Sequence, residues 1–339
     1  MPPAISLLKG NSQRDAAHAD LSTRSQASSV RPFLRKIAVL LCTMQGERYL
    51  RQQLDSIAAQ TYTNWEVWAS DDGSDDATLS ILEEYRARWG EARLSIRSGP
   101  SQGFVSNFFS LVCNSEIKAD YYAYADQDDV WQADKLLRAV EWLDQSPNEI
   151  ATLYCARTCL VDDENRQIGF SPLFHKAPGF ANALVQNIGG GNTMVFNESA
   201  RTLLRGTSEG VQVIAHDWWT YIVISGCGGR VYYDPVPSVQ YRQHGNNLIG
   251  SNAGWAMRLL RIRMLFRGRF RDWNTQNIEA LQKIYTKLAP ANRTILDEFM
   301  KVRSQSLLTR LASIRSSGIY RQTLLGNVGL AVAAIFKKV

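Results

Sequence analysis

The chain has 339 residues, 45% of them hydrophobic and 21% charged. That composition excludes a wholly disordered, collagen-like or coiled-coil chain and leaves room for one large domain or two small ones. The net charge of +6 is unevenly placed: residues 251–339 carry sixteen Lys/Arg against four Asp/Glu, and the remainder is net acidic. Such a basic end region points to an anionic surface, although a solvated basic helical surface has the same composition.

The first 33 residues are rich in Ser, Gln, Ala and Asp, without periodicity or a signal-peptide core, and read as a mobile tail. Order begins at Ile37. Residues 37–42 form a continuous apolar run, as expected of a strand buried on both faces. Tyr49, Leu50, Leu54 and Ile57 follow at helical spacing. Trp65–Ser70 reads as a second strand, Thr78–Trp89 as a helix and Leu94–Arg97 as a third strand. Val105–Cys113 reads as a helix, Tyr121–Ala125 as a fourth strand and Lys135–Leu143 as a helix. The alternation predicts an α/β fold with a mostly parallel sheet and helices on both faces. Beyond residue 150 the reading is of short strands at 151–157, 158–161, 193–196, 231–233 and 239–243. A turn is expected at 162–165, a helix from His216 to about Ser225, and helices beyond Ala256. The five cysteines have no framework spacing and read as reduced thiols in a cytoplasmic protein. The longest apolar run, Leu324–Phe336, is shorter than the roughly 18 residues a spanning helix needs.

Polar clusters fall just after three of the strands, where ligands bind in open α/β sheets. Asp126-Gln127-Asp128-Asp129 is the first. Its carboxylates can approach a small hard cation such as Mg²⁺, which accepts one or two carboxylates plus substrate phosphates; the same residues also suit a turn with Asp129 as a helix cap. Asp71-Asp72-Gly73 can accept from a base or ribose, or close an Asx-type turn. Gly189-Gly190-Gly191-Asn192 can bring backbone N–H groups close to a phosphate or sugar, or serve as a flexible loop. His216-Asp217-Trp218-Trp219 places a carboxylate at a helix start beside two aromatics. It reads either as a general base between sugar-stacking walls or as an N-cap with packing tryptophans. His244 ends a strand and suits a metal ligand or phosphate donor.

Taken in order, Thr43/Glu47, Asp71-Asp72-Gly73-Ser74, Gln102-Gly103 with Asn107, Asp126-Gln-Asp128-Asp129-Val-Trp131, the glycine run, His216-Asp217-Trp218-Trp219 and Tyr241-Arg-Gln-His244 resemble family-2 glycosyltransferases of the GT-A fold. The similarity is greatest to the rhamnosyltransferase-like branch of bacterial polysaccharide assembly, and covers roughly residues 37–250. The resemblance implies a GT-A catalytic domain over 34–255, with a nucleotide-sugar half to about 145 and an acceptor half beyond; the basic helical region over 256–339 does not carry it. It implies an inverting sugar transfer from a nucleotide-diphosphate sugar, dTDP-rhamnose first and a UDP-hexose next, to a saccharide or lipid-linked saccharide hydroxyl. A catalytically silent nucleotide-sugar-binding or scaffold protein is the alternative.

By the same resemblance, Thr43, Glu47, Asp72, Asn107 and Asp126 would bind the donor. Asp128 and His244 would hold Mg²⁺ or Mn²⁺, and Asp217 would take the acceptor's proton. Gly190, Gly191, Asn192, Trp218 and Trp219 would meet acceptor or sugar. The Gln-x-x-Arg-Trp pattern of processive members is missing, which points to single additions. No nucleic-acid-reading motif accompanies the basic region. Six arginines between Met257 and Arg271, together with the 324–336 stretch, suggest peripheral contact with an anionic membrane at its inner face; a helical subdomain packed on the core is the competing expectation.

Overall fold

The computed structural model describes residues 34–243, 269–304 and 306–338. The first part follows the expected alternation: β1 (Ile37–Thr43), α1 (Leu50–Ala58), β2 (Trp65–Asp71), α2 (Thr78–Trp89), β3 (Leu94–Ser98), α3 (Phe104–Cys113) and β4 (Tyr121–Ala125). β1 pairs in parallel with β2 and β4, and β2 pairs in parallel with β3. β1 is apolar at every position because side chains alternate across two buried faces. Ala38, Leu40 and Cys42 enter one core, and Ile37, Val39 and Leu41 the other.

The chain continues through β5 (Val130–Trp131), α4 (Lys135–Leu143), β6 (Thr152–Val161), β7 (Gln167–Phe170) and α5 (Phe180–Ala183). Then come β8 (Val195–Asn197), α6 (Glu198–Ser208), α7 (His216–Gly226) and β9 (Arg230–Arg242). α4 buries Leu136, Ala139, Val140 and Leu143, the apolar stripe of a surface helix. The sheet is mixed, in the order β3-β2-β1-β4-β8-β6-β9-β5, with β7 beside β6. β8 runs antiparallel to both β4 and β6. The two short strands expected at 151–161 are one strand, and so are those at 231–243. The parallel β6–β9 pairing shifts register between Ala156 and Thr158, which bridges the polar interruption that reads as a break.

Four further helices follow: α8 (Arg269–Lys283), α9 (Pro290–Ser304), α10 (Leu307–Ser317) and α11 (Leu324–Ile335). Ile278, Leu281, Leu296, Phe299, Val302, Leu330 and Ala334 share one core with α3, α6 and α7. The described helices beyond 268 therefore share the core that α3, α6 and α7 line. Residues 1–33, His244 and most of the arginine-rich 257–271 segment lie outside the described residues. No described helix is long and apolar enough to cross a membrane.

Candidate active site

The carboxyl ends of β1, β2 and β4 and the N-terminus of α7 border a cavity of about 1270 Å³. Thr43, Asp72, Asn107, Asp126, Asp128, Gly190, Gly191, Asn192 and Asp217 all line it. These residues, from six separate stretches of sequence, meet in one place.

The loops after β1 and β2 brace each other. Asp71 Oδ1 accepts from Thr43 Oγ1 at 2.7 Å, and Asp71 Oδ2 from the Ser74 N–H at 2.8 Å. The turn they close needs Gly73, whose φ of 105° lies in the left-handed region where a Cβ is strained. Asp72 accepts from the Ser101 and Gly103 N–H groups at 2.7 and 2.9 Å, which fixes the approach to α3. Asn107, almost wholly buried, donates to Ser70 O at 2.9 Å. Glu47 lies outside the cavity lining; its Oε2 accepts from the Ala77 N–H at 3.0 Å, just ahead of α2. There it completes one of the orphan donors of the helix start.

Asp126, Gln127 and Asp128 follow β4. Gln127 was not foreseen as a site residue, yet its amide clasps the Met44 backbone in both directions, accepting from N–H and donating to C=O at 2.8 Å each. A lone amide between two acids carries no sequence signal for this. Burial, with the neighbouring Asp128 and Asp217 carboxylates, holds the Asp126 carboxyl far above the ordinary range. Asp129 is fully buried and raised by that burial and by the Asp128 and Asp126 carboxylates, opposed by hydrogen bonds from the Asn192 amide and the Arg242 N–H. It is therefore neither a cation ligand facing the cavity nor the cap of α4, but the post to which the glycine turn is tied.

Arg242, at the end of β9, is also buried. It donates to the backbone carbonyls of Asp128 and Asp163, both at 3.0 Å, and to Gln52 Oε1 at 2.7 Å. The Tyr241 hydroxyl, on the cavity wall, is shifted far upward by burial and by the same group of aspartates. This concentration of negative potential is what a cation would relieve, so the carboxylates Asp126 and Asp128 fit a divalent ion. No group of three ligating side chains stands close enough to cage one among the described residues, so the remaining ligands would be substrate oxygens or water.

Asp217 opens α7. Its Oδ2 accepts from the Gly191 N–H at 3.0 Å and its Oδ1 from the Trp218 N–H at 2.6 Å. Burial raises its carboxyl to about 6, and these donors act against that rise. Gly191 is required by close approach: a Cβ there would stand 2.4 Å from His216 Nε2 and 3.3 Å from Asp217 Cβ. His216 is stacked on Phe108 with ring centroids 3.8 Å apart, and burial lowers its imidazole to about 3. The predicted aromatic walls are elsewhere. Trp219 is fully buried, and Trp218 donates from its indole N–H to Ala183 O at 2.7 Å; neither lines the cavity. A helix start buried all round turns its aromatics into the core. Among the aromatics that do line the cavity are Phe174, Tyr233 and Trp273, the last from α8.

A mixed sheet of this order, with acids at its strand ends and a carboxylate across the cavity, defines a GT-A glycosyltransferase. Residues 38–204 match the model of glycosyl transferase family 2, and the chain belongs to that family. It is 28% identical over 251 residues to the dTDP-rhamnosyl transferase RfbG of Shigella flexneri, covering 71% of this chain and 84% of RfbG. It is 27% identical to the uncharacterized protein Rv1520 of Mycobacterium tuberculosis, covering 62% of this chain and 60% of that protein. The crystal structure of S. aureus TarS 1–349 in complex with UDP-GlcNAc superposes with a TM-score of 0.50 at 15% identity, over 83% of this chain and 90% of that one. That likeness is one of fold.

Proposed function

We propose that the chain is an inverting glycosyltransferase that moves a sugar, rhamnose from dTDP-rhamnose in first place and a hexose from a UDP-sugar next, to a hydroxyl of a saccharide or lipid-linked saccharide. The observation that carries the reading is the placement of Asp126, Asp128 and Asp217 on one cavity. The donor choice follows the similarity to RfbG.

In this reading Thr43, Asp72 and Asn107 shape the nucleotide end, and Glu47 supports it by holding the start of α2. Asp126 and Asp128 would hold Mg²⁺ or Mn²⁺; such an ion supplies charge neutralisation at the departing diphosphate. Asp217 acts as general base on the acceptor hydroxyl. With its carboxyl near 6 it is ionised at neutral pH and still basic enough to accept a proton as the hydroxyl oxygen attacks. Two backbone N–H groups aim it, and a single displacement inverts the anomeric centre. Gly190, Gly191 and Asn192 form the floor between donor and acceptor, and Trp273 replaces Trp218 and Trp219 as the stacking surface for an acceptor sugar. An acceptor on a lipid carrier would bring the enzyme to the inner face of the membrane.

The test is donor turnover with and without chelator across dTDP- and UDP-sugars, alongside Asp217→Asn and Asp128→Ala. We expect Asp217→Asn to lower turnover by about 10²–10⁴-fold with donor affinity kept. Asp128→Ala should abolish transfer. Near-normal turnover in Asp217→Asn would remove the base from this position, and activity surviving both Asp128→Ala and chelation would remove the ion.

A further inference from the structure

The packed helical end of the chain leaves one face bare. On α11, Leu330, Ala333 and Ala334 are buried against the core. Leu324, Leu325, Val328, Ile335 and Phe336 are exposed, Leu324 by 83% and Leu325 by 70%. Their spacing of three, four and seven residues puts them along one side of the helix, opposite the buried stripe. The helix is held in this orientation from beneath: Arg310 of α10 is buried and donates to Ala334 O at 2.8 Å and Ile335 O at 3.3 Å, closing the carbonyl end. At the other end the Thr323 hydroxyl accepts from the Gly326 N–H at 3.0 Å. The outward stripe is thus set by capping and packing on the inner side, and among the described residues nothing covers it.

The charge around the stripe selects what could. From residue 299 to the end the sequence has seven Lys/Arg and no Asp or Glu. Arg315 and Arg321 precede the helix, and Lys337 and Lys338 follow it; Arg315 and Lys337 are exposed. An apolar stripe whose neighbours in sequence on both sides are cations matches a surface that is apolar within and anionic at its edge. A lipid leaflet has that profile. Twelve residues of helix span about 18 Å, well short of a hydrocarbon core of about 30 Å, so the helix would lie in the plane of the surface.

We propose that the α11 face, Leu324, Leu325, Val328, Ile335 and Phe336 with Lys337 and Lys338, is a docking surface for an anionic lipid bilayer. This deepens the membrane contact proposed above and is independent of which sugar is moved. The exposed positions allow polar substitution without disturbing the core.

The experiment is flotation of the full chain with vesicles of phosphatidylglycerol and phosphatidylcholine, against vesicles of phosphatidylcholine alone. Two variants accompany it, Leu324→Ser/Leu325→Ser/Val328→Ser and Lys337→Glu/Lys338→Glu. The wild type should float with the anionic vesicles at low salt and be released at high salt. Each variant should lose at least tenfold of the bound fraction, with donor turnover on a water-soluble acceptor unchanged. A wild type that stays at the bottom of the gradient overturns the proposal, as does a serine variant that floats like wild type. A wild-type dimer in solution that the serine variant converts to monomer, without vesicle binding, assigns the face to a second copy and also overturns it. Loss of donor turnover in all proteins with flotation intact would sink the transferase reading and leave the surface standing.

Discussion

Gly191 sits where three functional constraints meet. Its N–H aims Asp217, its Cα faces His216 Nε2, and its own turn is anchored through Asn192 to Asp129. Gly191→Ala should push the His216–Asp217 backbone outward, lowering turnover at least tenfold and destabilising the fold by about 1–3 kcal/mol. Steady-state kinetics beside urea unfolding would measure both. His216 adds a pH dependence. The ring faces Phe104, Phe108, Tyr124 and Gly191, with Asp217 next in the chain, and stays neutral in the fold down to about pH 3. The unfolded chain binds its proton near the ordinary 6.5, so between these values the unfolded state holds more protons. Stability from this residue is therefore complete above about pH 6.5 and is lost as pH falls, by up to about 1.4 kcal/mol per pH unit. His216→Phe should flatten that limb of the stability–pH curve relative to wild type. An unchanged limb would mean the ring is not buried neutral.

At the scale of elements, the alternation from β1 to α4 is legible because β1 and β4 are continuous apolar or aromatic runs, β2 and β3 keep apolar residues at alternate positions, and the helices between them carry apolar stripes. The strand-end position of the acids is legible as well, whereas which of them brace loops, as Asp71, Asp72 and Asp129 do, is not. What local pattern cannot carry is direction of burial. Trp218 and Trp219 begin a helix packed into the core, whereas the tryptophan that lines the cavity, Trp273, is on an element beyond the reach of the motifs. Nor does pattern distinguish Asp129, a buried post, from Asp126 and Asp128 beside it; turn geometry decides which carboxyl points inward. Nor does pattern announce that the Glu47 carboxylate accepts from the Ala77 N–H ahead of α2. If Trp273 forms the acceptor wall, Trp273→Ala should raise the acceptor KM about tenfold with kcat nearly kept, the effect of losing an aromatic contact of about 1.5 kcal/mol. A fall in kcat with unchanged KM would instead place the residue in support of the catalytic groups.

At the scale of the molecule, the helices beyond 268 are part of the catalytic core and also furnish a wall of its cavity. Removing residues 269–339 would strip Leu281, Leu296, Phe299, Val302 and Leu330 from the apolar cluster that α3, α6 and α7 complete. Each fully buried side chain of this kind contributes about 1.5–3 kcal/mol, so the remainder should not fold cooperatively. We expect that truncation to bind a hydrophobic dye and to melt without a sharp transition; a sharp melt with retained turnover would show a separable tail.

The Gln127–Met44 clasp ties the end of β1 to the end of β4, while Asn192–Asp129 and Gly191–Asp217 tie the glycine turn to β4 and α7. Three loops far apart in sequence therefore cannot open one at a time without breaking a shared bond. Amide protons at 44–46, 127–129 and 190–192 would then exchange with deuterium as one unit, and a nucleotide seated at the β1 end alone would slow exchange at the glycine turn beside the general base.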